Sequence, residues 1–139
     1  MKLESLFSEF DGLEPRERLE LLIEFSDTLP ELSDQRAAQP PPPQCRVAEC
    51  QTAVDLWVDV VDGQVRIEAT VPRQSPIVRG LVALLIEGIN DAAIDDVLQM
   101  TDDLLEPLGL TETLGMTRQS GTRGLVAAIK QRVLAAETA

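Results

Sequence analysis

The chain has no histidine, only two cysteines, one Trp and three Phe among its 139 residues. Two cysteines are too few for a disulfide scaffold, and without histidine they are too few for a closed zinc site. No glycine-rich phosphate-binding motif is present. We therefore expect no metal and no cofactor. If a side chain does chemistry in this protein, the expected reactive atom is a cysteine sulfur.

Composition narrows the class of protein further. Apolar residues make up 44% and charged residues 26% of the chain, which is typical of a globular domain with an aliphatic core. The formal charge of −12 argues against a nucleic-acid partner, because phosphates are bound through clustered Lys and Arg. No apolar run reaches the roughly 18 residues that span a bilayer. The acidic start lacks the apolar core of a secretory signal, so a cytoplasmic location with reduced thiols is expected.

The first third of the chain predicts two helices followed by an irregular stretch. Apolar residues among Glu and Arg favour helices over residues 2–10 and 15–28, the second beginning at Pro15. Residues 33–46 contain four consecutive prolines at 40–43, which favour an extended conformation and cannot continue a helix. This proline-rich loop could bind an aromatic groove on a partner, but we expect it to act mainly as a semi-rigid spacer.

The middle of the chain predicts a β-hairpin. Apolar and polar residues alternate over residues 54–61 and 65–71, on either side of the dipeptide Asp62-Gly63. Alternation on both sides of Asp-Gly is the strongest short-range hairpin signal in a sequence. One face of the hairpin is aliphatic and must be covered by another element.

The last part of the chain predicts helices. Residues 76–89 carry few charges and indicate a nearly buried helix with Ser75 as N-cap. Short acidic helices are expected near 91–99 and 101–108, and a final helix from about Arg118 or Gly121 to Ala136. The order predicts one α+β domain over residues 1–139, in which a small antiparallel β-sheet of about three strands packs against several α-helices.

Cys50 is the candidate reactive residue, because it lies where the proline-rich loop gives way to the first strand. Its neighbours Glu49, Gln51 and Thr52 are unsuited to a core position. A free cysteine can also be a small buried apolar residue, and that alternative stays open. Local charge does not indicate a strongly activated thiol, since Arg46 and Glu49 act in opposite directions.

Other candidate groups are weaker. Cys45 lies five residues before Cys50, and a disulfide or resolving-thiol role is conceivable. The pairs Asp95-Asp96 and Asp102-Asp103 lack the loop spacing of a calcium site, and helix capping or solvated helix faces explain them better.

Four motifs in order resemble those of the SufE family, the sulfur acceptors of iron–sulfur cluster assembly. Residues 22–32, ending in Thr-Leu-Pro-Glu-Leu, are similar to the family's second helix and its Leu-Pro-x-Leu end. Residues 47–52 (Val-Ala-Glu-Cys-Gln-Thr) resemble its Cys-Gln-Ser/Thr loop, and residues 77–81 (Ile-Val-Arg-Gly-Leu) its Ile-Val-Lys-Gly-Leu helix start. Residues 108–121 are similar to its Leu-Gly-Leu…Leu-Ser-Pro-x-Arg-x-x-Gly signature.

The resemblance implies a SufE-like fold and a sulfur carrier that is not itself an enzyme. Cys50 would take sulfur from the persulfide of a pyridoxal-phosphate cysteine desulfurase of the SufS type, stimulate that enzyme, and pass the sulfur to a SufBCD-like scaffold complex. The family's cysteine loop can tuck into an apolar pocket. Arg118 would support the loop or the partner surface, and Gly121 would let the chain turn closely beside it. The implied supporting residues are Glu49, Gln51, Thr52, Arg118 and Gly121.

The chain departs from the family pattern at several positions. Glu49 stands where many members have glycine, Gly115-Met116 replaces Ser-Pro, and Trp57 has no assigned role. Two alternative functions stay open, a cluster scaffold or metallochaperone and a redox-switch module that uses Cys45 and Cys50. The expected oligomeric state is a monomer or a weak dimer.

Overall fold

The computed structural model describes residues 1–138. Helices α1 and α2 span Leu3–Ser8 and Pro15–Ser26, and the proline-rich stretch contains the short helix α3 (Asp34–Ala37) and a 3₁₀ turn at Pro43–Cys45. The strands β1 and β2 are Asp55–Val61 and Gln64–Thr70. The remaining helices, α4 to α7, are Pro76–Ile89, Ile94–Leu98, Leu105–Leu108 and Thr111–Thr138. The predicted α+β class is confirmed.

The two strands form the predicted antiparallel hairpin. Asp62 and Gly63 both have positive φ angles, 52° and 77°, as a tight turn that matches the strand twist requires. Leu56 faces Ala69 across the ladder, and all the inward-facing residues of β2 are buried. The described residues contain two strands where about three were expected. Two isolated antiparallel bridges extend the pairing, Arg46 with Asp55 and Gln64 with Ala93.

Helix α4 covers the apolar face of the hairpin and lies at the centre of the core. Nine of its fourteen residues are buried, as its apolar sequence predicts. It packs against α1, α2 and β2. Ser75 occupies the N-cap position but makes no capping hydrogen bond with its side chain, so the expected cap is wrong in that detail. Arg79 instead links the neighbouring elements by donating to the carbonyl oxygens of Ser26 and Val71.

Helix α7 consists of two helical segments on either side of Gly115, and the second segment begins close to the predicted start at 118 or 121. Gly115 interrupts it with φ 80° and ψ 179°, a conformation that a side chain would disfavour. The helix then continues through Arg118 and packs against β1, α5 and α6. Its expected core residues are all buried: Leu125, Val126, Ile129 and Val133. The interruption explains why the apolar pattern indicates a later start.

The proline-rich stretch is more ordered than a spacer, because α3 binds the polar face of the hairpin. Arg36 forms ion pairs with Asp59 and Glu68. Its guanidinium carbon also lies 5.8 Å from the centre of the Trp57 ring. The structure thus gives Trp57 a role, which is to support Arg36 on the outer face of the sheet.

Residues 1–138 include no helix that is long and apolar enough to cross a membrane.

Candidate functional site

The Cys50 loop, residues 47–54, leads from the 3₁₀ turn into β1. The backbone N–H of Val47 donates to the carbonyl oxygen of Val54 at 2.9 Å, which closes the loop at its base. Val47 and Val54 are both buried in the core. The two ends of the loop are therefore held together at the core.

Arg132 on α7 binds both ends of this loop base. Its Nη1 donates to the carbonyl oxygens of Cys45 and Leu56 at 2.9 and 3.1 Å, and its Nη2 donates to that of Arg46 at 3.0 Å. A guanidinium is suited to this contact because its donors are fixed in one plane. One side chain thus holds the chain before and after the Cys50 loop against α7.

An ion pair adds a second constraint at the base. Arg46 Nε lies 3.1 Å from Asp55 Oδ1, and the side chain of Asp55 is only 8% exposed. Thr70 lies at 3.5 Å from the other carboxylate oxygen of Asp55. Burying a carboxylate without partners costs free energy. Arg46 and Thr70 offset that cost by pairing with the Asp55 carboxylate at the start of β1.

The tip of the Cys50 loop has fewer constraints. The N–H of Cys50 donates to Val47 at 3.3 Å, and the Cys50 side chain is partly buried against the core. Glu49 lies directly over Gly124 of α7. A Cβ atom built on Gly124 would come within 2.5 Å of Glu49 Cβ and 2.9 Å of its Cγ. The loop tip can therefore approach α7 this closely because residue 124 has no side chain.

A cavity of about 400 Å³ lies between the loop tip, α4 and α7. All six residues expected at the site line this cavity: Glu49, Cys50, Gln51, Thr52, Arg118 and Gly121. Val78, Leu81 and Leu125 supply an apolar wall, and Thr117, Ser120 and Thr122 supply hydroxyl groups. The structure thus brings together residues 49–52 and residues 118–121, which are far apart in the sequence, although their roles stay predictions.

The Cys50 thiol is not activated in this conformation. Burial raises its pKa above the ordinary thiol value, and the negative charge of Glu49 raises it further. Both effects favour the neutral thiol over the nucleophilic thiolate.

Arg118 is the cationic residue in the cavity lining. Its Nη1 atom is buried and has no hydrogen-bond partner in the described part of the chain. A buried guanidinium N–H without a partner is uncommon and indicates a position where an acceptor can bind.

Gly121 differs from its expected role. It lies inside α7, and a Cβ built on it would meet nothing within 4 Å, so no close turn of the chain depends on it. The close approach expected there occurs at Gly124 instead.

Cys45 is buried and lies outside the cavity lining. Burial raises the pKa of its thiol, although Arg132 acts in the opposite direction. Both cysteines are free thiols. Across residues 1–138, no group of three or more Cys, Asp or Glu side chains is arranged to hold a metal ion.

Sequence reasoning missed two residues of the site, Arg132 and Gly124. Arg132 gives no sequence signal, because its contacts join residues 76 to 87 positions apart. Gly124 does give one. A glycine inside a helical pattern is unfavourable relative to alanine and indicates a close approach of another chain segment.

The fold and the site define a small α+β protein that presents one cysteine on a loop over a cavity. The SufE family, described as an Fe–S metabolism associated domain, matches residues 3–133. The chain belongs to the SufE family.

Individual relatives agree with this assignment. A SufE-like protein of Mycobacterium tuberculosis is 31% identical over 136 residues, covering 97% of this chain and 93% of that protein. A SufE-like protein of Synechocystis is 28% identical over 123 residues, covering 88% and 73%. The solution structure of a hypothetical protein from Thermus thermophilus has a TM-score of 0.79 and 29% identity, covering 99% of this chain and 97% of that one.

Proposed function

We propose that the protein is a sulfur carrier that accepts persulfide sulfur on Cys50. The observation that supports this most is the common cavity, in which Cys50 lies with the five other residues of the family motifs. Membership of a family associated with iron–sulfur metabolism supplies the biochemical context.

The proposed reaction is a thiol–persulfide exchange. The Cys50 thiolate attacks the terminal sulfur of a cysteine persulfide on the partner. A new S–S bond forms on Cys50 Sγ while the partner's S–S bond breaks, and the partner's cysteine leaves as a thiolate. The proton lost from Cys50 balances the one that the leaving thiolate can take up, so no outside oxidant or reductant is consumed.

The proposed donor is a pyridoxal-phosphate cysteine desulfurase of the SufS type, which the exchange would stimulate by clearing its persulfide. The proposed acceptor is an iron–sulfur scaffold complex of the SufBCD type. Burial and the charge of Glu49 raise the pKa of Cys50, which disfavours the thiolate in the free protein. Activation would then come when the partner draws the loop tip out of the cavity.

Arg118 would support this exchange. Its unpaired Nη1 offers a hydrogen bond in the cavity that houses Cys50. A persulfide is more acidic than a thiol, so an anionic sulfur and a cationic donor are matched partners. The cavity is also lined by the two residues that follow the thiol in the loop, Gln51 and Thr52. Gly121 lies in the lining as well and leaves open space next to its backbone.

The proposed setting is a compartment that keeps thiols reduced, such as the cytoplasm. We infer a single domain, since one cluster of buried apolar side chains takes residues from both strands and from every helix except α3. The carrier is proposed to act as a monomer or weak dimer and to pass sulfur without catalysing a reaction of its own.

Intact-mass spectrometry tests this proposal. After incubation with the desulfurase and cysteine, the wild-type protein should gain the mass of sulfur, and Cys50→Ala should not. Cys45→Ala is the matched control and should still gain it. Loading that persists in Cys50→Ala and disappears in Cys45→Ala would overturn the assignment.

The same preparation distinguishes the alternatives. A stable visible chromophore after anaerobic iron and sulfide reconstitution would indicate a cluster scaffold. A stoichiometric Cys45–Cys50 disulfide under mild oxidant, with altered partner binding, would indicate a redox switch. Within residues 1–138, the cavity is lined by Cys50 without Cys45, and no group of three or more Cys, Asp or Glu side chains is arranged to hold a metal ion.

A further inference from the structure

Glu49 and Gly124 form a steric pair at the loop tip. Glu49 is exposed, and its Cβ and Cγ lie over the backbone of Gly124. Real Cβ atoms essentially never approach other heavy atoms within 3.0 Å, yet a Cβ on residue 124 would lie 2.5 Å from Glu49 Cβ. Glycine is therefore the residue at position 124 that fits the observed position of the loop tip.

A change of side-chain rotamer cannot relieve such an overlap. The Cβ atom of Glu49 is fixed to its own backbone, so moving it away from α7 requires the backbone of the loop tip to move. Cys50 follows Glu49 directly in the chain and lies in the cavity between the tip and α7. The contact at Gly124 and the burial of Cys50 are thus mechanically linked.

We infer that Gly124 is a seat for the Cys50 loop: by admitting Glu49 against α7, it keeps Cys50 in the cavity until a partner displaces the tip. This inference rests on the proposed function, since it describes how access to the acceptor thiol is controlled. Gly124 and Glu49 are positioning residues and take no part in the exchange itself. The contact also explains how a glutamate can stand directly before Cys50, because α7 has a glycine at position 124 that leaves room for the Glu49 side chain.

The seat is weak enough to open. The tip is held by the Cys50–Val47 hydrogen bond and by packing, whereas the base is held by Arg132 and the Arg46–Asp55 ion pair. A partner therefore needs to displace only the tip, while the base keeps its position on β1. The exposed Glu49 carboxylate offers that partner a charged group to bind as the tip leaves Gly124.

The test is the rate at which iodoacetamide alkylates Cys50, measured on the full chain by mass spectrometry of the Cys50 peptide. Gly124→Ala should accelerate alkylation by about tenfold, because the added methyl group shifts the loop population towards the open state. Glu49→Gly removes the overlapping atoms, so adding Gly124→Ala to Glu49→Gly should produce no further acceleration. Thermal melting of each variant checks that it is folded.

Gly88→Ala on α4 supplies the control, because residue 88 lies outside the cavity lining. Its added methyl group would also overlap a neighbour, at 2.7 Å from Leu3 Cδ1, yet it should leave the alkylation rate within about twofold of wild type. An equal acceleration by Gly124→Ala with and without Glu49 would overturn the seat, as would no acceleration at all.

Measuring sulfur uptake beside the alkylation rate distinguishes a failure of this inference from a failure of the proposed function. Alkylation needs no desulfurase, so it reports on the seat alone. If wild type takes up sulfur but Gly124→Ala leaves alkylation unchanged, the seat is wrong and the carrier function stands. If no variant takes up sulfur at Cys50 while the alkylation pattern holds, the carrier function is wrong and the steric pair remains.

Discussion

The base of the Cys50 loop is tied by side chains from α7 and β1, whereas its tip rests on a glycine and on the wall of a cavity. At the base, Arg132 alone donates three hydrogen bonds to backbone carbonyls on both sides of the loop. At the tip, one backbone hydrogen bond of 3.3 Å and the contact of Glu49 with Gly124 hold Cys50 in place.

This difference indicates that the base and the tip of the loop have different functions. A thiol that must meet a partner's persulfide needs a defined point of presentation, which a rigid base supplies. It also needs to leave a protective cavity, which a weakly held tip permits. Strengthening the tip or loosening the base should each impair transfer, and the variants below probe the base and the tip separately.

The largest expected effect is at the base. Arg132→Met removes a charged donor from three carbonyl groups, and we expect a loss of about 2–3 kcal/mol in the free energy of unfolding, measured with urea. Arg123→Met is the matched control on the same helix, because Arg123 is 54% exposed and its ion pair is with Asp103. That control should change stability by about 1 kcal/mol or less. Equal losses in the two variants would contradict the assigned role of Arg132.

A smaller effect is expected at the second base contact. Arg46→Met leaves the buried carboxylate of Asp55 with Thr70 as its side-chain partner, so stability should fall, but by less than in Arg132→Met. Adding Asp55→Asn should recover part of that loss, since an amide is less costly to bury than an unpaired charge. Urea unfolding of the two single variants and the double variant measures the coupling energy between Arg46 and Asp55. If the loss of stability in the double variant equals the sum of the two single losses, the Arg46–Asp55 ion pair does not contribute.

The smallest effect concerns charge at the tip. Glu49→Gln removes the negative charge that raises the pKa of Cys50, so the pH at which alkylation accelerates should move lower. It should stay above the ordinary thiol value, because burial is the larger cause and remains. Glu20→Gln on α2, whose charge does not shift the Cys50 pKa, is the control and should leave the profile unchanged. An unchanged profile in Glu49→Gln would show that burial alone sets the reactivity.

The elements that could be predicted are those whose signals are local. The hairpin follows from alternation around Asp62-Gly63, and α4 follows from a long apolar run. The residues around Cys50 follow from the family motif, and the structure gathers them at one cavity.

The features that could not be predicted depend on contacts between distant segments. Arg132 reaches carbonyls far away in the chain, and α3 is stabilised by ion pairs of Arg36 with the hairpin. Polar residues before a proline run do not indicate such a docked helix. The short segment of α7 before Gly115 was missed for a local reason, since Gly115 breaks the helical pattern that α7 otherwise follows.

The most direct test of the central claim is to locate the transferred sulfur. The protein is loaded by its desulfurase, the persulfide is trapped with an alkylating reagent, and the digested peptides are sequenced by tandem mass spectrometry. The account predicts the extra sulfur on the peptide that carries Cys50 and unmodified thiol at Cys45. Sulfur found on Cys45, or on neither cysteine while the desulfurase retains its persulfide, would contradict it.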